Sequence, residues 1–504
     1  MALIVGVGAV DGAGASTAGS ARVGSLSKSQ LEDSFLRLDA IVKKDMRKTG
    51  VPGVAVAVVH NDQVVYTKGY GVRSTETGEK VNPKTVFQVA SLSKPVSSTI
   101  MAGLVGEGAF DWDDAVVPYN AYYPYRDPWV TDHVTYADLF AHRSGLPGAA
   151  GNDLEGVGYD RTTILERLRY VPLNPFRSTY SYSNFAMTLG AETGAAAADS
   201  TWEDVSQRVL FDPVGMTSTS MRYDDYLARP NRAELHVEVD GKWVPAFTRD
   251  PDPQAPAGGV SSNVVDLAQW MRVQLRGGML GDKRIIDEAA LDATHTPRVM
   301  NRPLNPVTNP ASFYGLGWSI AVRPDGEVAW DHSGAFSNGA ATAVKLIPAE
   351  DIGIVVLTNA APIGLAEAIA ADYLDSVISG STKNTLGVWT KRFSGVYGPK
   401  PDLTKPASPT PARDATAYVG TYRNDYVGDL QIVDNAGKLQ LVVGPKGMTY
   451  ELEHFDGDTF LYLSAPETPD YPSKVTFTIG PDGVVTALTD TTFEGSGQEM
   501  LTRV

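Results

Sequence analysis

The amino-acid sequence predicts an α+β protein in two parts, a large domain built on one antiparallel sheet and a small all-β domain after it. Three observations predict this. Strand-like runs stand near residue 54 and again after residue 317, with helical patterns between them, so the chain leaves one sheet and rejoins it. A proline-rich stretch then interrupts regular structure. Beyond it the hydrophobic pattern becomes short alternating runs divided by turn residues.

Residues 1–28 read as a leader or a disordered tail. The apolar run Ala2–Val10 and the small residues Gly12–Ser20 resemble the end of a secretory signal, but the first positive charge is Arg22, so the basic start is missing. A truncated signal, a tag-replaced start and a plain tail all fit, and the expectation leans towards export, periplasmic or secreted. The large domain is expected over 29–397. Leu31, Phe35, Leu38, Ile41 and Val42 share one face of a helix running from about Ser29 to Lys48, which Gly50 and Pro52 stop. Val54–Val59, a turn at Asn61-Asp62 and Val64–Tyr66 form a hairpin. From about Thr85 to Met300 helical patterns alternate with Pro/Gly loops. Strands return at Gly317–Val322, Ala340–Ile347 and Ile352–Leu357, and a helix follows at Leu365–Ser379. Pro399, Pro401, Pro406, Pro409 and Pro411 make 398–413 a stiff linker. In 414–504, Leu430–Ile432, Leu439–Val443 and Val475–Ile479 alternate between turns, as in a small antiparallel barrel.

Composition narrows the function. A chain of 504 residues exceeds the usual size of one hydrophobic core. No apolar stretch approaches the ~20 residues a membrane-spanning helix needs. A net charge of −16 argues against nucleic acid, whose phosphates require clustered Lys and Arg. The absence of cysteine excludes disulfides, thiol nucleophiles and thiolate metal sites.

Gly-x-Ser-x-Gly is absent, which removes the nucleophile elbow of one large hydrolase class. His-Glu-x-x-His is absent too, and no metal or cofactor is expected. Ser-Leu-Ser-Lys occurs twice. The copy at Ser25–Lys28 lies in a polar leader, whereas Ser91–Lys94 follows the apolar Val86–Ala90 and opens a helical pattern through Ile100, Met101, Leu104 and Val105. Residues three apart share a helix face, so the Lys94 amine lies beside the Ser91 hydroxyl. Pro95 is tolerated only in a first turn, which puts Ser91 where free N–H groups favour a developing oxyanion. Burial against an apolar helix favours the neutral amine that a general base requires. Tyr182-Ser183-Asn184 offers a phenol whose proton a nearby ammonium loosens, and an amide able to bind a substrate carbonyl. Tyr422–Asn424 repeats the pattern in the β region, where it reads as a strand tyrosine. His332-Ser333-Gly334 precedes Ala335, whose N–H suits an oxyanion hole, with the glycine letting substrate lie against the strand. Its approach, Tyr314–Trp318, looks strand-like.

Ser-x-x-Lys, then Tyr-x-Asn, then a basic residue with x-Gly, in that order, resembles the penicillin-recognising serine hydrolases, in the branch nearest class C β-lactamases. His142–Leu146, Gly258–Ser262, Asp266–Ala268 and Trp270 add to the resemblance, which spans roughly residues 30–395. It implies a β-lactamase-like domain (an antiparallel sheet flanked by helices, with a helical subdomain) and a barrel appendage such as some peptidase-like members carry. It also implies Ser91 as nucleophile, Lys94 and Tyr182 sharing the base work, and Asn184, His332, Ser333, Gly334 and Ala335 on the substrate. His142 looks architectural, and Tyr119, Tyr122, Tyr123, Tyr125 and Trp129 either line a cleft or pack on the core.

One departure matters. β-Lactamases usually have Lys where this chain has His332, and histidine is mostly neutral at pH 7. The expected substrate is therefore a small, peptide-like amide or ester without a free carboxylate. A carboxylesterase or β-lactamase activity is the alternative, and a penicillin-binding sensor or scaffold with little turnover is a reading of another class. The oligomeric state is left open.

Overall fold

The computed structural model describes residues 28–119, 125–303, 311–323, 326–380, 383–394 and 400–504. The leader up to residue 27, the first two residues of the linker (398 and 399), and Tyr122 and Tyr123 lie outside the described residues. No helix among the described residues is long and apolar enough to cross a membrane.

The large sheet has eight strands: β1 (Gly53–His60), β2 (Gln63–Gly71), β3 (Val299–Arg302), β4 (Ser312–Tyr314), β5 (Ser319–Val322), β6 (Val328–Phe336), β7 (Ala340–Ile347) and β8 (Ile352–Thr358). Their order is β2-β1-β8-β7-β6-β5-β4-β3, antiparallel throughout, so the early hairpin pairs with the last strand, as Val54 opposite Thr358 shows. Asn61 and Asp62 both have positive φ (49° and 57°), which closes β1 on β2 in a turn whose twist matches the strands. In β1 and β8 every residue is buried. The period of two explains why. Val54, Val56 and Val58 face one core with Leu38, Ile41 and Val42 of α1 (Lys28–Thr49) and Ile369 and Tyr373 of a helix at Leu365–Ser379. Ala55, Ala57 and Val59 face the other, with the helices between the two halves of the sheet.

One expected strand is different. Tyr314–Trp318 is a tight connection between β4 and β5, not continuous strand. Gly317 adopts φ +81°, and a side chain there would sit 2.9 Å from the Lys94 carbonyl oxygen.

The C-terminal part is a nearly closed barrel of nine strands: β9 (Gly420–Asn424), β10 (Gly428–Asn435), β11 (Lys438–Val443), β12 (Met448–Glu451), β13 (Glu453–Asp456), β14 (Thr459–Tyr462), β15 (Ser473–Ile479), β16 (Val485–Asp490) and β17 (Met500–Arg503). The order β12-β11-β10-β9-β17-β16-β15-β14-β13 ends on two strands consecutive in the chain, with only Leu452 between them. The sheet must therefore curl until its edges meet. Residues 400–413 carry no helix or strand and run along the barrel, held by Thr410 N–H on Asp456 Oδ1 (2.7 Å).

The barrel is docked on the large domain by polar contacts. The Tyr426 hydroxyl donates to Asp153 Oδ1 (2.6 Å) and accepts from the Gly151 N–H (2.8 Å), and Arg167 donates to the carbonyls of Tyr426 and Val427. Both ends of the phenol are satisfied at a buried interface, which fixes the barrel beside the segment 151–156.

Candidate active site

Ser91 lies in a single 3-10 turn, Ala90–Leu92, that runs into α2 (Ser93–Gly106). Ala90 before it has φ +51°, a conformation costly for a residue with a Cβ and maintained by its surroundings. Those surroundings are specific. Thr342 Oγ1 donates to the Val89 carbonyl (2.7 Å), and Ser93 Oγ accepts from the Val260 N–H (2.9 Å). The turn is thereby fixed between β7 and the 255–262 segment.

Lys94 is fully buried, and its Nζ has three oxygen neighbours: Ser91 Oγ at 3.1 Å, Asn184 Oδ1 at 2.7 Å and the Ala257 carbonyl at 3.0 Å. Burial holds the amine well below its ordinary pKa, with no carboxylate near enough to oppose it. A neutral amine has two N–H donors and one lone pair. Asn184 Oδ1 and the Ala257 carbonyl are acceptors only, so they take the two N–H bonds and the lone pair is left for the Ser91 hydroxyl. The amine also lies 4.5 Å from the centre of the Tyr182 ring.

Tyr182 leads directly into α3 (Asn184–Ala197), whose N-cap Ser183 accepts from the Ala186 N–H. Burial raises the Tyr182 phenol above its ordinary range, and its hydrogen bond with Ser91 pulls the other way. The expectation that a neighbouring ammonium loosens this proton is thus corrected. Where Lys94 is neutral and the ring is desolvated, the resting phenol is protonated. His142, with φ +56°, holds the Tyr182 loop: its Nδ1 accepts from the Ser183 N–H (3.1 Å) and its carbonyl from the Ser181 N–H (2.8 Å). Asn184 uses its other end on Asn152, donating from Nδ2 to Oδ1 at 3.1 Å. It faces the lysine with one atom and Asn152 with the other, so its first role in this geometry is to orient Lys94.

The third motif differs more. β5 pairs with β6 only as far as Asp331, while β7 continues along the other edge to Phe336. The Ser91 turn packs on the face that β6 and β7 share, at the paired residues Gly334 and Thr342. Gly334 is needed for that contact. A Cβ there would stand 2.1 Å from the Val89 carbonyl oxygen and 2.9 Å from the Leu92 nitrogen, so the glycine admits the Ser91 turn. His332 is 6 % exposed, and both its nitrogens are occupied. Nδ1 must donate to the Ser333 carbonyl (2.7 Å), which leaves Nε2 to accept from the Tyr314 hydroxyl (2.8 Å). Burial pushes its pKa down to about 4. His332 therefore stands behind the pocket as a neutral ring, 6.2 Å from the Tyr182 ring, and presents no charge to a ligand. Ser333, between His332 and Gly334, is not among the pocket's lining residues either.

A pocket of about 350 Å³ opens above Ser91, lined by Asn184 and Ala335 among the expected residues. Asn152, Glu155, Arg249 and Glu467 also line it. Sequence reading missed these four, and the last belongs to the barrel. Tyr125 is buried in the core and Trp129 stacks on His133, so neither of these two lines the pocket.

Residues 38–377 match the family model described as Beta-lactamase. The chain belongs to the β-lactamase family. It is a serine hydrolase of that family, and residues 404–502 match a second model described as a domain of unknown function (DUF3471). The unguisins hydrolase ungD' of Aspergillus campestris is 26 % identical over 433 residues, covering 79 % of this chain and 77 % of that protein. Among solved structures, the octameric penicillin-binding protein homologue from Pyrococcus abyssi aligns with a TM-score of 0.59 at 19 % identity, over 93 % of this chain and all of that one. A class C β-lactamase from Rhodobacter sphaeroides aligns with a TM-score of 0.56 at 22 % identity, over 68 % of this chain and 99 % of that one. Both likenesses are of fold.

Proposed function

We propose that this protein hydrolyses a small amide or ester, a peptide-like one by preference, through an acyl-enzyme on Ser91. The observation that carries the reading is the Lys94 amine, buried, with two acceptor-only carbonyls and the Ser91 hydroxyl around it. The Ser91 proton passes to Nζ as Oγ bonds the substrate carbonyl carbon. The resulting oxyanion takes hydrogen bonds from the Ser91 and Ala335 N–H groups. The departing amine takes a proton from Tyr182, which recovers one from Lys94, and the C–N bond breaks. Water repeats the attack on the acyl-enzyme and releases the acid.

The neutral His332 supports a substrate without a carboxylate at that position, since no fixed cation stands there. Intact-mass spectrometry tests the reading after mixing with a p-nitrophenyl ester, a D-amino-acid amide and penicillin. An adduct mapping to the Ser91 peptide and lost in Ser91→Ala is expected, with turnover of ester and amide ahead of penicillin. No adduct and no turnover with any of the three would leave the fold without the chemistry.

A further inference from the structure

Of the two acceptors that hold the Lys94 amine, one has a fixed character and the other does not. The Ala257 carbonyl, 3.0 Å from Nζ, accepts in every state of the site. The Asn184 side chain, 2.7 Å away, is an amide whose two ends have nearly the same shape. A half-turn of that amide would set Nδ2 where Oδ1 stands, and the bond to Lys94 would reverse. A neutral amine can receive a hydrogen bond only at its lone pair. The reversed amide would therefore occupy the lone pair that has to take the Ser91 proton.

The direction is set 32 residues up the chain. Asn152 Oδ1 accepts from Asn184 Nδ2 at 3.1 Å, which keeps the Asn184 oxygen turned to Lys94. Asn152 is itself an amide, but its Nδ2 donates to the Gly148 carbonyl at 3.0 Å, and a backbone carbonyl cannot donate in return. The polarity fixed at that carbonyl is passed through two amides to the amine. Gly148 lies against the segment it serves, since a Cβ there would stand 2.7 Å from the Tyr182 carbonyl oxygen. Asn152 is tied at its own backbone as well, its N–H donating to the Ala149 carbonyl at 2.9 Å.

We infer that Asn152 is a positioning residue for this reaction, locking the Asn184 amide with its oxygen towards Lys94 so that the lone pair of the amine stays open to the Ser91 hydroxyl. This rests on the reading of Lys94 as the base for Ser91. No proton passes through Asn152. When Nζ takes the Ser91 proton it becomes an ammonium with three donors, and Asn184 Oδ1, the Ala257 carbonyl and Ser91 Oγ are the acceptors already in place. The same lock thus serves the amine before the proton arrives and the ammonium after it.

Two substitutions separate this lock from a plain wall of the pocket, which Asn152 also lines. Asn152→Leu removes acceptor and donor together and frees the Asn184 amide to turn. On a p-nitrophenyl ester its plateau kcat is expected to fall by at least about tenfold, since the loss lies in the base and not in binding. Asn152→Asp keeps an acceptor for Asn184 Nδ2 and adds a negative charge one amide away from Nζ. It is expected to move the limb of kcat/KM that belongs to Lys94 to higher pH by at least about half a unit. Tyr182, His142 and His332, the other titratable groups acting on the amine, are kept neutral by burial. Asp153 and Glu155, on the short helix of Asn152, are bound to Tyr426 and Arg249. All five are common to parent and variant, so the displacement between their limbs reads Lys94. A loss confined to KM in Asn152→Leu would make Asn152 a substrate contact and overturn the inference. A plateau within about twofold of the parent, or an unmoved limb in Asn152→Asp, overturns it too. If Asn152→Leu fails to fold, the limb of Asn152→Asp decides alone. Ser91→Ala is assayed beside them: ester turnover that survives there condemns the nucleophile reading, whereas its loss there with unchanged Asn152 variants condemns only the lock.

Discussion

Tyr182-Ser183-Asn184 and Tyr422-Arg423-Asn424 carry the same Tyr-x-Asn pattern in the two domains, and the structure gives them opposite surroundings. In the large domain the tyrosine ring lies over the Lys94 amine and its hydroxyl bonds Ser91, while the asparagine points its oxygen at the lysine. In the barrel the Tyr422 hydroxyl donates to the Tyr418 carbonyl (2.7 Å). Asn424 is consumed by backbone, donating to the Gln498 and Met500 carbonyls and accepting from the Val427 N–H. The first copy faces groups that can exchange protons. The second faces carbonyls and an amide that cannot, so its role is to tie strands together. A motif acquires chemistry from what the fold sets opposite it.

The comparison breaks most severely at Lys94, the group present in one copy and absent from the other. Lys94→Ala is expected to lower kcat/KM on a p-nitrophenyl ester by roughly a thousandfold, within the range a positioned base contributes. In the unaltered protein the amine must be neutral to accept the Ser91 proton. Its pKa is held well below the ordinary lysine value by burial, so kcat/KM should climb with pH through a limb well below 10.5 and then level. A limb at the ordinary lysine position would show that the amine is charged at rest and that another group is the base.

Tyr182→Phe comes next and sharpens the contrast by leaving group. An amine needs a proton before it departs, and an alkoxide or phenoxide needs much less help. Loss of the hydroxyl should cost about a hundredfold in kcat for an amide, and clearly less for the matched ester. Equal losses on both, measured side by side, would remove Tyr182 from the proton path and leave it a ring packed beside the Lys94 amine.

How much of this was legible in the sequence follows from where each signal lies. The sheet was readable because strands facing two cores alternate or run apolar, as Val54–Val59 and Ile352–Leu357 do, and that period survives without knowledge of partners. Ser91 and Lys94 were readable because three residues on a helix fix a distance. Asn152, Glu155, the Ala257 carbonyl and Glu467 were not, since each reaches Ser91 or its pocket across 60 to several hundred residues of chain, and a carbonyl has no residue type to betray it. His332 was found but placed on the substrate side. Its real neighbours, Tyr314 and its own strand's carbonyl, come from β4 and the pleat of β6, which no local pattern announces. Gly317 was taken into a strand because the residues around it are apolar, although its positive φ makes it the turn.

The smallest effect belongs to the barrel copy, and it tests the comparison from the other side. Tyr422 is fully buried, and burial pushes its phenol up to about 12, so it stays protonated across any working pH. Tyr422→Phe keeps the ring against Phe477 and removes only the donor to the Tyr418 carbonyl. The buried carbonyl then loses this hydrogen bond, at a cost of about 1 kcal/mol, which a shift in the denaturation midpoint of the full chain should report. Hydrolysis of ester and amide should not change, because nothing in this copy touches Ser91. If turnover fell with the barrel's stability, the phenol at 422 would be linked to the site through the docked interface at Tyr426 and Asp153, and the two copies would no longer be independent.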